Sequence, residues 1–264
     1  MENNINNENK KAAAPKKKEV KFKRWFYNLC KFGFSIVGLF YPTRIINKKN
    51  MHKKGRYIYA CNHLTYIDIP FTQIRMGGVR RYIGKKEYAA GKSYKWLARF
   101  GVIFIDREKP EMSTLRDIFN VLKEENGQIM IFPEGTRNKG DYRKLMPIKP
   151  GLAMFGAKSN VPIIPIILYK PCRTFHMNYM YVGEEIKLDY GGRIPPADVI
   201  AQQTEFLQYE MEKTRAYAED YIENKRWKKK NRLPAGEVPE FVINWETERK
   251  NENSAAAAEN TAQE

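Results

Sequence analysis

Cysteine and histidine are scarce in this chain, with three of each in 264 residues. Cys30, Cys61 and Cys172 are odd in number and widely spaced, which excludes a disulfide framework and suits a reducing cytoplasmic setting. No metal-ligand spacing is present, so no metal is expected, and no G-x-S-x-G elbow marks a serine nucleophile. There are no internal repeats. The longest apolar stretch, between Arg24 and Tyr41, is broken by Asn28 and Lys31 and stopped by Pro42. It falls short of the roughly 20 apolar residues a bilayer span needs, and no small-residue cleavage site follows it.

Positive charge, by contrast, is abundant: the net charge is +17. Residues 1–54 hold fourteen Lys or Arg against three Glu, and Lys225–Arg232 carries six more cations around Trp227 and Asn231. Such runs are ordinarily solvated surface, but at this density they attract polyanions: nucleic acid, an anionic membrane or an acidic carrier protein. Zinc-finger spacing, an RNP-like segment and a GXXG loop are all missing, and the charge sits at the ends, so a nucleic-acid reader is only a distant alternative. Residues 1–23 are polar and basic and are expected to be disordered. Residues 24–45 read as an amphipathic membrane-docking helix, anchored by Trp25, Phe26, Phe32 and Phe34 with lysines beside them. The segment 226–264 reads as a basic and then low-complexity tail, loose from about residue 246.

Between these ends the pattern is α/β. Short apolar runs at Tyr57–Cys61, Tyr82–Gly84, Val102–Ile105, Gln128–Phe132, Ile163–Tyr169 and Met180–Ile186 predict buried strands. Helical stretches near 66–76, 87–100, 112–125, 150–159 and 198–224 alternate with them. Strands alternating with helices imply a mostly parallel, mixed central sheet flanked by helices over residues 46–225, with ligands beyond the carboxyl ends of the strands.

His63 falls just past the first of these strands, and Asp68 opens the next helix. An imidazole held by a carboxylate is a ready general base. Spacing i,i+5 on one helix would separate the two side chains, whereas a strand-to-helix turn brings them together. A local reading competes: Thr65-x-x-Asp68 resembles a capping box, and Pro70 suggests that Asp68 itself caps a late-starting helix. Cys61, two residues earlier, is a conceivable nucleophile but is more simply a buried structural thiol. Downstream, Gly101–Arg107 delivers Arg107 at a strand end. Phe132–Arg137 delivers Glu134, Gly135, Thr136 and Arg137 through a tight turn, and Val161–Pro165 opens a strand between Pro162 and Pro165. Arginine binds phosphate bidentately and glycine admits close backbone approach.

These four blocks, NHxxxxD at 62–68, GxxFIDR at 101–107, FPEGTR at 132–137 and VPIIP at 161–165, resemble in kind and order those of the 1-acyl-sn-glycerol-3-phosphate acyltransferases of the glycerolipid acyltransferase superfamily. Lys85-Lys86-Glu87 and Lys149-Pro150-Gly151 also stand where that family tends to place a basic residue. The resemblance covers roughly residues 25–225. It implies transfer of an acyl group from acyl-CoA or acyl carrier protein, as thioester co-substrate without a further cofactor, to the hydroxyl of a lysophosphatidate-like lipid, giving phosphatidate. His63 would be the base and Asp68 its orienting partner. Arg107, Glu134, Gly135, Thr136 and Arg137 would hold the acceptor, and Pro162 and Pro165 would shape the acyl side. With the basic amino-terminal segment and its aromatic helix, the expected location is the cell membrane, peripheral or monotopic on the cytoplasmic face, and another lyso-lipid or glycerol 3-phosphate is the alternative acceptor.

Overall fold

The computed structural model describes residues 21–262 except 92, 108, 189, 191–193 and 235. The basic segment expected to be disordered lies mostly outside these residues. Seven strands form one sheet: β1 (Thr43–Ile46), β2 (Tyr57–Cys61), β3 (Arg81–Lys85), β4 (Val102–Ile105), β5 (Gln128–Ile131), β6 (Ile163–Leu168) and β7 (Asn178–Val182). The helices are α1 (Arg24–Gly38), α2 (Asp68–Met76), α3 (Tyr94–Phe100), α4 (Met112–Lys123), α5 (Gly151–Ser159), α6 (Ala197–Glu223) and α7 (Glu240–Ala262). The strand order is β1-β7-β6-β2-β5-β3-β4. All pairings are parallel except β6 with β7, so the mixed, mostly parallel sheet expected from the sequence is what forms.

Alternation of side chains along each strand divides the core. Ile58, Ala60, Ile129, Ile131 and Ile163 meet α4, α5 and α6 on one face. Tyr59, Cys61, Met130, Ile164 and Ile166 meet Tyr27 of α1, Phe71 and Met76 of α2 and Phe100 of α3 on the other. Burial on both faces explains why the central strands read as unbroken apolar runs.

Four sequence expectations need correcting. The segment 24–45 is not one helix: α1 ends at Gly38, and β1, absent from the predicted strands, joins the sheet edge. Its four residues include Arg44 and lack the length of a recognisable apolar run. The stretch 87–100 is a 3₁₀ turn, Lys86–Ala90, followed by the separate α3. The last predicted strand starts two residues earlier and ends at Val182, leaving Ile186 as a single bridge to Ile163. Finally, the segment expected to be loose from about residue 246 is helical. The hydroxyl of α6 Tyr209 bonds Glu246 at 2.8 Å, and Arg249 pairs with Glu212 at 3.1 Å.

Asn62 determines how the sheet meets the site. It is fully buried, and its side-chain amide continues the β2–β6 ladder past the end of β2. Its Oδ1 accepts from Leu168 N–H at 2.7 Å, and its Nδ2 donates to Leu168 C=O at 3.0 Å. The following residue, His63, is thereby released from the ladder at a fixed point. Asn62→Leu would leave both Leu168 backbone groups buried without partners, at about 1–3 kcal/mol each. Urea unfolding of this variant should show a loss of roughly 2–4 kcal/mol; a loss below about 1 kcal/mol would refute the role.

Candidate active site

The turn between β2 and α2 folds His63 and Asp68 onto each other. Asp68 is fully buried, and its Oδ2 accepts from His63 Nδ1 at 2.9 Å, Leu64 N–H at 2.6 Å and Thr65 N–H at 2.7 Å. Its Oδ1 accepts from the Thr65 hydroxyl at 2.7 Å. The two sequence readings of Asp68 therefore coincide, since one carboxylate closes the helix-entry turn and orients the imidazole. A carboxylate only accepts, so the His63 proton lies on Nδ1 and the Nε2 lone pair is free. The imidazole stacks on Phe132, with ring centroids 4.2 Å apart, and Asn138 N–H holds the His63 carbonyl at 2.7 Å.

Phe132, on which the His63 ring stacks, also lines a cavity of about 1130 Å³ beyond the carboxyl ends of β3, β4 and β5; His63 itself is one residue removed from that lining. The inner wall is apolar, with Ile83, Ile105, Ile131, Leu152, Met154 and Phe155. The outer wall is cationic, with Lys85, Lys86, Arg107 and Lys149 facing Glu87, Asp106 and Glu134. Lys86 is already engaged, with Glu111 at 2.7 Å and Asp106 at 3.7 Å.

The Phe132–Gly135 turn, closed by Gly135 N–H on Phe132 C=O at 3.0 Å, brings β5 to the cavity. Gly135 has φ +76°, a left-handed backbone that favours glycine, and a Cβ there would displace the Arg107 guanidinium, 2.9 Å away at Nη1. Arg107 donates through Nη1 to the Gly135 carbonyl, which couples the second and third blocks. Glu134 is buried, and neither carboxyl oxygen makes a hydrogen bond of normal geometry. Burial raises its pKa to about 7, the nearby Asp68 charge adds to this, and the backbone N–H groups of His63 and Met146 offset it only in part.

His63, Asp68, Arg107, Glu134, Gly135 and Thr136 thus converge at one edge, with Arg107, Glu134, Gly135 and Thr136 lining the cavity itself, while three further expected residues lie apart from this group. Arg137 lies over the Tyr66 ring, 3.5 Å from its centroid, and donates to its hydroxyl at 2.7 Å. Pro162 stands at the amino end of β6, opposite the site, and Pro165 is buried within that strand, so neither lines the cavity. Asn62, Phe132 and Asn138 position His63 without standing out in the sequence as site residues. The signal for Asn62 is that a polar side chain follows a fully buried strand directly. Among the described residues, no group of three or more His, Cys, Asp or Glu is placed to hold a metal.

The family model described as Acyltransferase matches residues 42–169, from just before β1 to just past the end of β6. Residues 42–169 thus carry an acyltransferase-family domain. The chain is 30% identical over 172 residues to the 1-acyl-sn-glycerol-3-phosphate acyltransferase of Haemophilus influenzae, covering 62% of this chain and 66% of that protein. It is 26% identical over 173 residues to the protein of the same name from Bacillus subtilis, covering 62% and 84%. The chain spans about half the length of a further relative of that name, from Limnanthes alba, at 32% identity. The crystal structure of the 1-acyl-sn-glycerophosphate (LPA) acyltransferase PlsC from Thermotoga maritima superimposes with a TM-score of 0.52 at 22% identity, covering 73% of this chain and 79% of that one. That likeness shows the shared fold.

The buried Glu134 gives the protein a pH signature. Its folded pKa, about 7, exceeds the ordinary 4.5, so the folded state holds a proton that the unfolded state releases. This contribution is present below pH 4.5 and is lost as pH rises through about 7, an amount on the order of 3 kcal/mol. Glu134→Gln should flatten that decline when urea unfolding is compared at about pH 5 and about pH 8. An unchanged decline would place its origin elsewhere.

Proposed function

We propose that this acyltransferase moves a fatty acyl group from a thioester to the free hydroxyl of 1-acyl-glycerol 3-phosphate, giving phosphatidate. The observation that carries this reading is the free Nε2 of His63, whose ring is held by Asp68 and stacked on Phe132 beside a cavity with cationic and apolar walls. His63 Nε2 takes the proton as the acceptor oxygen attacks the thioester carbonyl, and Asp68 stabilises the imidazolium that forms. The tetrahedral intermediate then collapses, the C–S bond breaks, and His63 passes its proton to the leaving sulfur, so the thiol departs and the imidazole is neutral again. Donor and acceptor account for every bond and proton, so no further cofactor is required.

No acyl-enzyme enters this scheme. Cys61 is fully buried, and burial, with the charges of Asp68 and Glu134, pushes its thiol well above the ordinary range. It stays protonated and is a poor nucleophile. Arg107 and the neighbouring lysines meet the acceptor's phosphate, and the Glu134 carboxyl receives its remaining glycerol oxygen. The apolar wall accommodates an acyl chain. Coenzyme A and acyl carrier protein are both anionic and meet the same cationic mouth, so either suits as donor.

Among the described residues, no helix is long and apolar enough to cross a membrane. The proposed membrane contact is peripheral, on the cytoplasmic face. Tyr27 and Phe34 of α1 pack inward against Phe100, whereas Trp25, Leu29, Phe32 and Ile36 form an exposed stripe at 4-3-4 spacing. Phe26 and Phe34, expected from sequence as anchors, instead pack against Trp96. An apolar stripe beside a strongly basic chain segment suits an anionic lipid surface.

With a labelled thioester and lysophosphatidate, His63→Ala should lower kcat by about 10³-fold or more while moving KM little. Retention of more than about a tenth of the activity would refute His63 as the base. Arg107→Ala should cost about 10–100-fold in kcat/KM with lysophosphatidate and far less with phosphate-free monoacylglycerol. Equal losses on both acceptors would mean that Arg107 does not read phosphate.

A further inference from the structure

Beyond the residues matched by the family model, the loop between β6 and β7 presents an unusual combination of rigidity and apolar exposure. Phe175 is 76% exposed and Met177 is also exposed, although both are large and apolar. Phe175 has φ +58°, in the left-handed region that bulky residues rarely adopt. The cost of that conformation holds the ring outward, because Phe175 N–H bonds the carbonyl of Phe40 at 2.7 Å and the two rings meet edge to face at 5.6 Å. Buried Asn178 braces the loop from inside. Its Nδ2 donates to the carbonyls of Pro42, Arg173 and His176, and its Oδ1 accepts from Arg173 N–H. Strain maintained by such a brace marks a position whose shape serves a purpose.

Charge surrounds this tip. A small cavity of about 260 Å³ at its base is lined by Lys170, Arg173 and His176, with Glu223 bonded by the Tyr169 hydroxyl. The second basic cluster is pinned alongside. Trp227 stacks on Tyr179 at 5.8 Å beneath the Arg44 guanidinium, and Arg226 is tied to Asp220 at 2.9 Å. Lys225, Lys228, Lys229 and Lys230 are left exposed. The loop also borders the catalytic turn, since the Asp68 charge, after burial, helps push the Cys172 thiol to about 12. Because β6 runs parallel to β2, the loop leaves the sheet at the edge that carries His63.

We propose that loop 170–177 is a second membrane-contacting element, in which Phe175 and Met177 enter an anionic bilayer while Lys170, Arg173 and the Trp227-anchored lysines meet its headgroup phosphates. The inference rests on the lipid-acyltransferase reading above and extends its membrane contact from α1 to the active-site edge. Two separated contacts fix an orientation that a single helix leaves free, turning the His63 edge toward the lipid in which the acceptor resides.

The test is flotation of the full chain with phosphatidylcholine vesicles containing or lacking phosphatidylglycerol. Phe175→Asn with Met177→Gln should reduce binding to the anionic vesicles about tenfold or more, asparagine being chosen because it tolerates the left-handed backbone. Replacing Lys228, Lys229 and Lys230 by Gln should cost about fivefold per charge on anionic vesicles and little on neutral ones. Turnover of a water-soluble short-chain lysophosphatidate should stay within about twofold for both variants. Unchanged vesicle binding would overturn the proposal, as would loss of soluble turnover in step with binding, which would make the loop part of the catalytic architecture. Vesicle binding is read without turnover, so a wild-type chain that binds but acylates nothing would refute the activity and leave the loop's role standing.

Discussion

The Asp68 carboxylate accepts four hydrogen bonds from a six-residue turn, and the geometry of the whole edge follows from it. Two backbone N–H groups and the Thr65 hydroxyl would each lose a partner in its absence, and the imidazole would be free to rotate. A buried carboxylate is costly unless every lone pair is used, and here they are used on the turn itself. The helix-entry turn and the catalytic orientation therefore stand or fall together. Structure and chemistry cannot be separated by changing this residue alone, but they can be separated at His63, which accepts no such backbone load.

Around that turn the sheet acts as a jig. Asn62 ends the ladder, Phe132 supplies the ring on which His63 rests, and Asn138 secures its carbonyl. Arg107, beyond β4, and Gly135, beyond β5, are joined across the end of the intervening β3, so that two motif blocks far apart in sequence form one wall. Burial does the electrostatic tuning. It keeps Cys61 protonated and holds the Glu134 carboxyl near neutrality, where it is able to donate as well as accept a hydrogen bond. A site with one free imidazole nitrogen, an inert thiol and a half-neutral acid is suited to moving a single proton.

Much of this was legible in the chain. The central strands are buried on both faces, so β2, β5 and β6 stand out as apolar runs, and strand-end position alone brings His63, Arg107 and Glu134 to one edge. What escaped was decided by tertiary contact. β1 is four residues at a sheet edge with an arginine inside it, and only its pairing with β7 makes it a strand. The carboxyl-terminal segment looks like a tail because its composition is polar, yet packing of Tyr209, Glu212 and Lys213 against Glu246 and Arg249 draws it onto α6. Arg137 follows the motif as closely as Arg107 does, but its guanidinium finds Tyr66, a partner that no spacing rule announces. Pro162 and Pro165 frame β6, and a proline-framed strand signals where the strand is rather than what its prolines touch.

The central claim is that the acceptor hydroxyl, deprotonated by His63, attacks the thioester directly. Rapid-quench measurement of thiol release from a labelled acyl thioester, with enzyme in excess of the detection limit and acceptor omitted, tests it most directly. The account predicts no burst of thiol until lysophosphatidate is added, and then release in step with phosphatidate. A burst equal to the enzyme concentration, with label retained on the denatured chain, would establish an acyl-enzyme and contradict it.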